Sequence, residues 1–210
     1  SLSPLDMSTS SAITISAWIR PDSLTGTHTV IHKGEGGATQ EYRVHLENGR
    51  LHFTVWDRWG APYTLQLGHA LTPGQWYFFA ATAKRRGASG NVTFELTLYG
   101  SASDTPIAGA SSGNISFDLT SKNTSARLFI GGTSWGGTPT NFFDGIIDEL
   151  RIHAHTQNQD VNVVGLKNTT RDCPSQQACV ADDFSRSELG DDWAVTNRSG
   201  SFGNPRIVNG

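Results

Sequence analysis

The sequence predicts an all-β protein, two antiparallel sheets packed as a sandwich, and three observations carry that prediction. Apolar and polar residues alternate in several short runs, the period of a strand with one buried face. Clusters of Pro, Gly and Asn separate those runs at short intervals. The 210 residues include 23 Gly and one Met, without the Ala/Leu/Glu/Lys-rich stretches that make long helices.

The first run sets Ile13, Ile15, Ala17 and Ile19 against Thr14, Ser16 and Arg20, and Pro21-Asp22 halts it. Tyr42, Val44 and Leu46 lead into Glu47-Asn48-Gly49-Arg50, from which Leu51, Phe53 and Val55 depart, a hairpin with Asn-Gly as its turn. Trp76 to Lys84, Val92 to Tyr99, Ala126 to Ile130 and Phe142 to His153 are expected to supply further strands. The one helical signal is Thr156-Gln157-Asn158-Gln159, a capping-box pattern good for a single turn. Residues 1–165 therefore read as one sandwich domain, 166–181 as a polar linker, and 182–210 as the opening fragment of another β domain. The chain, which starts at Ser1, is expected to be a piece of a longer protein.

Charge and length exclude several function classes. A formal net charge of −3 gives no basic footprint for nucleic acid and no polybasic membrane patch. No apolar run reaches the ~18 residues needed to span a bilayer. Cys173 and Cys179 sit in a polar, proline-containing loop and are expected to form a disulfide in an oxidising, extracytoplasmic compartment, two unpaired surface thiols being the alternative.

In Phe142 to Ile152, FFDGIIDELRI, parity puts Ile146, Leu150 and Ile152 on one strand face with Asp148 among them. A lone buried carboxylate is costly, so Asp148 must be paired, hydrogen-bonded, bound to a metal or placed at a sheet rim.

Five ordered motifs resemble laminin-G-like domains, the concanavalin-A-like lectin/glucanase jelly rolls: AITISAWIRPDSL (Ala12 to Leu24), LENGRLHFTV (Leu46 to Val55), LTPGQWYFFAATA (Leu71 to Ala83), LFIGG (Leu128 to Gly132) and FFDGIIDELRIH (Phe142 to His153). The resemblance implies a two-sheet antiparallel jelly-roll β-sandwich. It also implies a structural calcium near Asp148, completed by loop carbonyls, with Asp144 among the candidate second ligands beside Asp6 and Asp22. The tail Cys179 to Gly210 resembles the segment following such a domain in bacterial MSHA pilus biogenesis proteins of the MshQ type. That implies a cell-surface or pilus-associated setting, with pilus or other surface proteins as partners.

Glycoside hydrolysis needs two carboxylates ~5 to 9.5 Å apart across a sugar, and the acidic alternation of the glucanases is missing here. Asp144 and Asp148 share parity, but Ile146 lies between them. The histidines are scattered over β segments and read as solvated or hydrogen-bonded, with His153 and His155 two apart on one strand and no evident third ligand. Sugar binding fits better, because aromatic faces stack on pyranose rings while polar loops take the hydroxyls. Two loops offer that chemistry: Trp56, Asp57, Arg58, Trp59 and Tyr63 in one, and Trp135 and Asn141 in the other. Trp18 and Trp76, set in strand motifs, are expected to pack internally. The expectation is a non-catalytic recognition or adhesion module with a carbohydrate or glycoconjugate partner. An architectural or protein-docking module ranks second and a glycoside hydrolase or lyase third.

Overall fold

The computed structural model describes residues 12–86, 90–119, 126–135, 138–155 and 161–169. In chain order these form β1 (Ala12–Pro21), β2 (Thr27–Lys33), β3 (Tyr42–Glu47), β4 (Arg50–Trp56), β5 (Pro62–Ala70) and β6 (Tyr77–Arg86). There follow β7 (Asn91–Gly100), β8 (Pro106–Ser116), β9 (Leu128–Ile130), β10 (Thr133–Trp135), β11 (Thr138–Thr140), β12 (Gly145–His155) and helix α1 (Val163–Thr169). One sheet has the order β12-β1-β6-β7-β8, the second β5-β4-β3-β2-β9, and β10-β11 form a separate ribbon. All of these pairings are antiparallel. The expected two-sheet sandwich is the architecture found.

The core lies between the sheets. Ile13, Ile15, Ala17 and Ile19 of β1 meet Tyr42, Val44, Leu46, Leu51, Phe53 and Val55 of β3 and β4 in one buried cluster. Phe94 anchors it, with Tyr63 stacked at 5.3 Å and Phe117 edge-on at 5.1 Å. The turn between β3 and β4 has positive φ at both central residues, 48° at Asn48 and 77° at Gly49, as a tight hairpin turn requires. It therefore fixes register: Glu47 faces Arg50, Leu46 faces Leu51 and His45 faces His52.

Part of the outer face of the first sheet is buried as well. Trp18, Phe78 and Tyr99 form a second cluster, covered by Val163, Val164 and Leu166 of α1 and flanked by Trp76, which accounts for both tryptophans expected inside. The helix begins at Asn162, whose Oδ1 accepts from the Gly165 N–H at 2.9 Å. Lys167 is buried, its ammonium 5.7 Å from the Trp18 ring centre and 2.9 Å from Asp104 Oδ1. A segment assigned to linker from 166 onward thus carries a packing face as far as this helix. Thr156 to Gln159, Cys173, Cys179 and the tail beyond them lie outside the described residues.

The parity argument for Asp148 is overturned. Asp148 is exposed and stands opposite Trp18, on the outer face. Ile147 faces Ile19 and Ile152 faces Ile15, both toward the core. Parity changes because β12 holds one extra residue between the Trp18 and Ser16 pairings, a bulge in which Glu149 takes φ 51°. The core-facing set is Ile147, Leu150 and Ile152, not Ile146, Leu150 and Ile152.

Candidate functional site

The outer face of the second sheet is polar. Since Tyr42, Val44, Leu46, Leu51, Phe53 and Val55 point inward, alternation sends Arg43, His45, Glu47, Arg50, His52, Thr54 and Trp56 outward. Pairing places His32 beside Arg43 and Gln66 beside His52 on the same face. The β10–β11 ribbon reaches it through Thr133, whose Oγ1 lies 2.5 Å from His32 Nδ1, while His32 Nε2 bonds Gln40. Beneath this end of the sheet Lys33 and Glu41 form a buried ion pair at 3.2 Å, and the Lys33 ammonium also donates to the Ala126 carbonyl at 3.0 Å.

Burial and neighbouring cations set the protonation of this face. Burial holds His32 below its ordinary value. His45 is lowered to about 2, first by burial and then by Arg43, His52 and His32. His52 is lowered mainly by burial, with Glu47 acting in the opposite sense. All three imidazoles are therefore neutral near pH 7. Of the two expected settings, solvated or hydrogen-bonded, His32 and His45 take the second, and all three rings are buried, with exposures of 1%, 3% and 8%. The facing of His45 and His52 was readable, because a two-residue turn at 48–49 makes those positions partners; the approach of His32 depends on a separate strand and was not.

At one end of this face the β4–β5 connection holds the first predicted aromatic loop. Asp57 organises it: Oδ1 accepts from the Trp59 N–H at 2.9 Å and from the Ala61 N–H at 2.8 Å. The Arg58 N–H donates to the Asp118 carbonyl at 2.9 Å, and its guanidinium forms an ion pair with the Asp118 carboxylate at 3.5 Å. The loop thereby presents Trp59, 69% exposed, with the Arg58 guanidinium 4.9 Å from its ring centre. Trp56 is half-buried on the sheet face, near Arg43 and His32.

Other predicted site residues have different places. Tyr63 is opposite Val55 and turns inward onto Phe94, half-buried against the core. Asn141 is an exposed turn residue at φ 52°, and its carbonyl accepts from the Thr29 N–H at 2.8 Å. Thr29 pairs with His45, toward the opposite end of the sheet from Trp56, so Asn141 lies away from the Trp59 loop. Trp135 pairs with Thr138 in the β10–β11 ribbon, and its side chain lies outside the described set.

Asp144 and Asp148 do not fit one calcium ion. They are four residues apart at the start of an extended strand, about 13 Å at ~3.3 Å per residue, whereas calcium holds its oxygens at ~2.3 to 2.6 Å. Asp144 instead uses its backbone carbonyl to accept from the Asp22 N–H at 2.8 Å.

The family model for laminin G domains of the concanavalin A-like lectin/glucanase superfamily matches residues 1–160. The chain belongs to this superfamily. Among solved structures, it is similar to the carbohydrate-binding module, CBM40, of the Ruminococcus gnavus IT-sialidase bound to α2,3-sialyllactose. That likeness has 17% identity, covers 77% of this chain and 83% of that one, and has a TM-score of 0.53. The same module bound to α2,6-sialyllactose gives 16% identity, coverage of 75% and 84%, and a TM-score of 0.50. The enzymatically active domain of tailspike protein 2 from bacteriophage CBA120 gives 16% identity and a TM-score of 0.53, covering 76% of this chain and 24% of that one. These likenesses are of fold. No curated protein sequence matches the chain.

Proposed function

We propose that this superfamily member is a non-catalytic carbohydrate-binding module whose ligand stacks on Trp59 and extends along the polar outer face of the second sheet. The observation that carries this reading is Trp59 itself, a large aromatic side chain 69% exposed on a loop whose turn Asp57 closes. Exposing an indole on a rigid loop suits a ligand with an apolar face and polar edges, as a pyranose has. Arg58 occupies one face of the ring and leaves the other for the sugar. Thr64 and Gln66, exposed on the edge strand β5, supply groups for hydroxyls.

Carboxylates near the loop have structural duties. Asp57 holds the turn, Asp118 pairs with Arg58, and Glu41 pairs with Lys33. A hydrolase needs one such group free as an acid and another free as base or nucleophile, which supports binding without cleavage. The sialyllactose-bound module of R. gnavus supports the ligand class. An extracytoplasmic, pilus-associated setting is the finer part of the reading and rests on the tail Cys179 to Gly210. Calorimetry with a glycan bound by the wild type tests the site: Trp59→Ala costs about 2 kcal/mol or more, roughly a thirtyfold loss of affinity. Unchanged affinity in Trp59→Ala rejects this loop.

A further inference from the structure

We propose that His45, Glu47 and His52 form a site for a divalent transition-metal ion of the zinc class on the outer face of the second sheet. This inference does not depend on sugar binding. One nitrogen from each ring and one Glu47 oxygen lie within 4.8 Å of one another. Tetrahedral zinc, with ligands at ~2.0 to 2.1 Å, needs its donors ~3.4 Å apart. Closing that difference takes about 1 Å of side-chain movement, and Glu47 is exposed and free to supply it. The two histidines face each other across the hairpin with ring centres 4.9 Å apart, on strands whose register the Asn48-Gly49 turn fixes.

A second observation points to a ligand. His45 is 3% exposed, and its Nδ1 is buried without a hydrogen-bond partner. Buried polar atoms are ordinarily satisfied, so an orphan nitrogen on a ring that faces a second imidazole marks a place for something to bind. Two neutral imidazoles and one carboxylate match the donor set that zinc-class ions take, with water at the open position.

Arg43 opposes the ion, and this gives the proposal its sharpest test. Its Nη2 donates to His45 Nε2 at 3.5 Å, which leaves Nδ1 as the unpartnered nitrogen. Metal at Nδ1 requires the ring proton to sit on Nε2 instead, facing a cation. Replacing Arg43 with Gln removes the repulsion and offers an acceptor to that N–H, as the outer partners of metal-bound histidines do. An anion bound at the same place would have the opposite dependence, since Arg43 would hold it and Glu47 would repel it.

The experiment is zinc titration calorimetry on the metal-free full chain, with Cys173 and Cys179 changed to Ser so that no thiolate contributes. Calcium serves as the control ion and cobalt absorption as the readout of geometry. The expected result is one zinc per chain, a tetrahedral cobalt spectrum and no calcium response. His52→Gln and Glu47→Gln each weaken zinc by about tenfold or more, and Arg43→Gln tightens it by roughly three- to tenfold, the range for removing one charge ~6 Å from a divalent ion in water. His45 is buried and its replacement strains the fold, so exposed Glu47 carries the decisive variant. Absence of zinc binding, equal binding in Glu47→Gln and His52→Gln, or weaker binding in Arg43→Gln overturns the proposal. Stabilisation by sulfate that vanishes in Arg43→Gln, with no zinc response, assigns the face to an anion and also overturns it.

Discussion

Asp148 and His45 show how one side chain's surroundings decide its chemistry. Because the bulge at Glu149 turns Asp148 outward, Asp148→Asn in chelator is expected to change unfolding free energy by less than about 0.5 kcal/mol, as surface substitutions do. A loss of several kcal/mol in denaturant unfolding would mean that the carboxylate is buried after all. His45 behaves in the opposite way. Above pH 6.5 folded and unfolded chains both carry it neutral, and below that the unfolded chain takes a proton that the folded chain refuses until about pH 2. Stability therefore rises with pH across that window, by up to about 1.4 kcal/mol per unit for one such residue. Urea unfolding in chelator is expected to show a loss on the order of 2 kcal/mol between pH 7 and pH 5, to which His32 and His52 add in the same sense. A flat profile over that range contradicts the buried, neutral imidazoles.

Elements were legible where local chemistry alone decides them. β1 follows from the alternation of Ile13, Ile15, Ala17 and Ile19, and the β3–β4 hairpin from Asn48-Gly49. Gly49 needs φ 77°, so Gly49→Ala is expected to cost about 1 kcal/mol or more in thermal unfolding, without loss of the fold. Elements decided by tertiary context were not legible. β8, PIAGASSGNIS, is not among the expected strands, because its residues are mostly small or polar and show no clear alternation; it is a strand because it takes its pairing from β7 at the sheet edge. The bulge in β12 has no sequence mark, since Glu149 is neither Gly nor Asn and accepts a left-handed φ inside a paired strand. Helix α1 has seven residues, too few to be stable alone, and forms because Trp18, Phe78 and Tyr99 offer an apolar surface to Val163, Val164 and Leu166. A chain ending at residue 160 is therefore expected to be less stable than one ending at 169, by about 2 to 4 kcal/mol, and to self-associate through the uncovered patch. Equal melting and a monomeric state for both would show that the helix contributes nothing.

For the whole molecule, the sandwich divides its labour between two outer faces. The first sheet hides an apolar patch of its outer face beneath α1, while the second keeps a polar face with a pinned, exposed tryptophan at one end. Five ordered motifs made the fold readable. The candidate site was readable only in part: Trp59 stood out by its Gly- and Pro-containing loop, whereas the shared face of His32, Arg43, His45 and His52 needed sheet register across three strands. The central claim is that this chain binds glycans at Trp59 without cleaving them. The most direct measurement is a glycan array probed in parallel with wild type and Trp59→Ala, each bound glycan then being assayed for release of reducing ends. The account predicts glycan binding by wild type, loss of signal in Trp59→Ala and no new reducing ends; an empty array, equal signals from the two proteins, or reproducible release of reducing ends would contradict it.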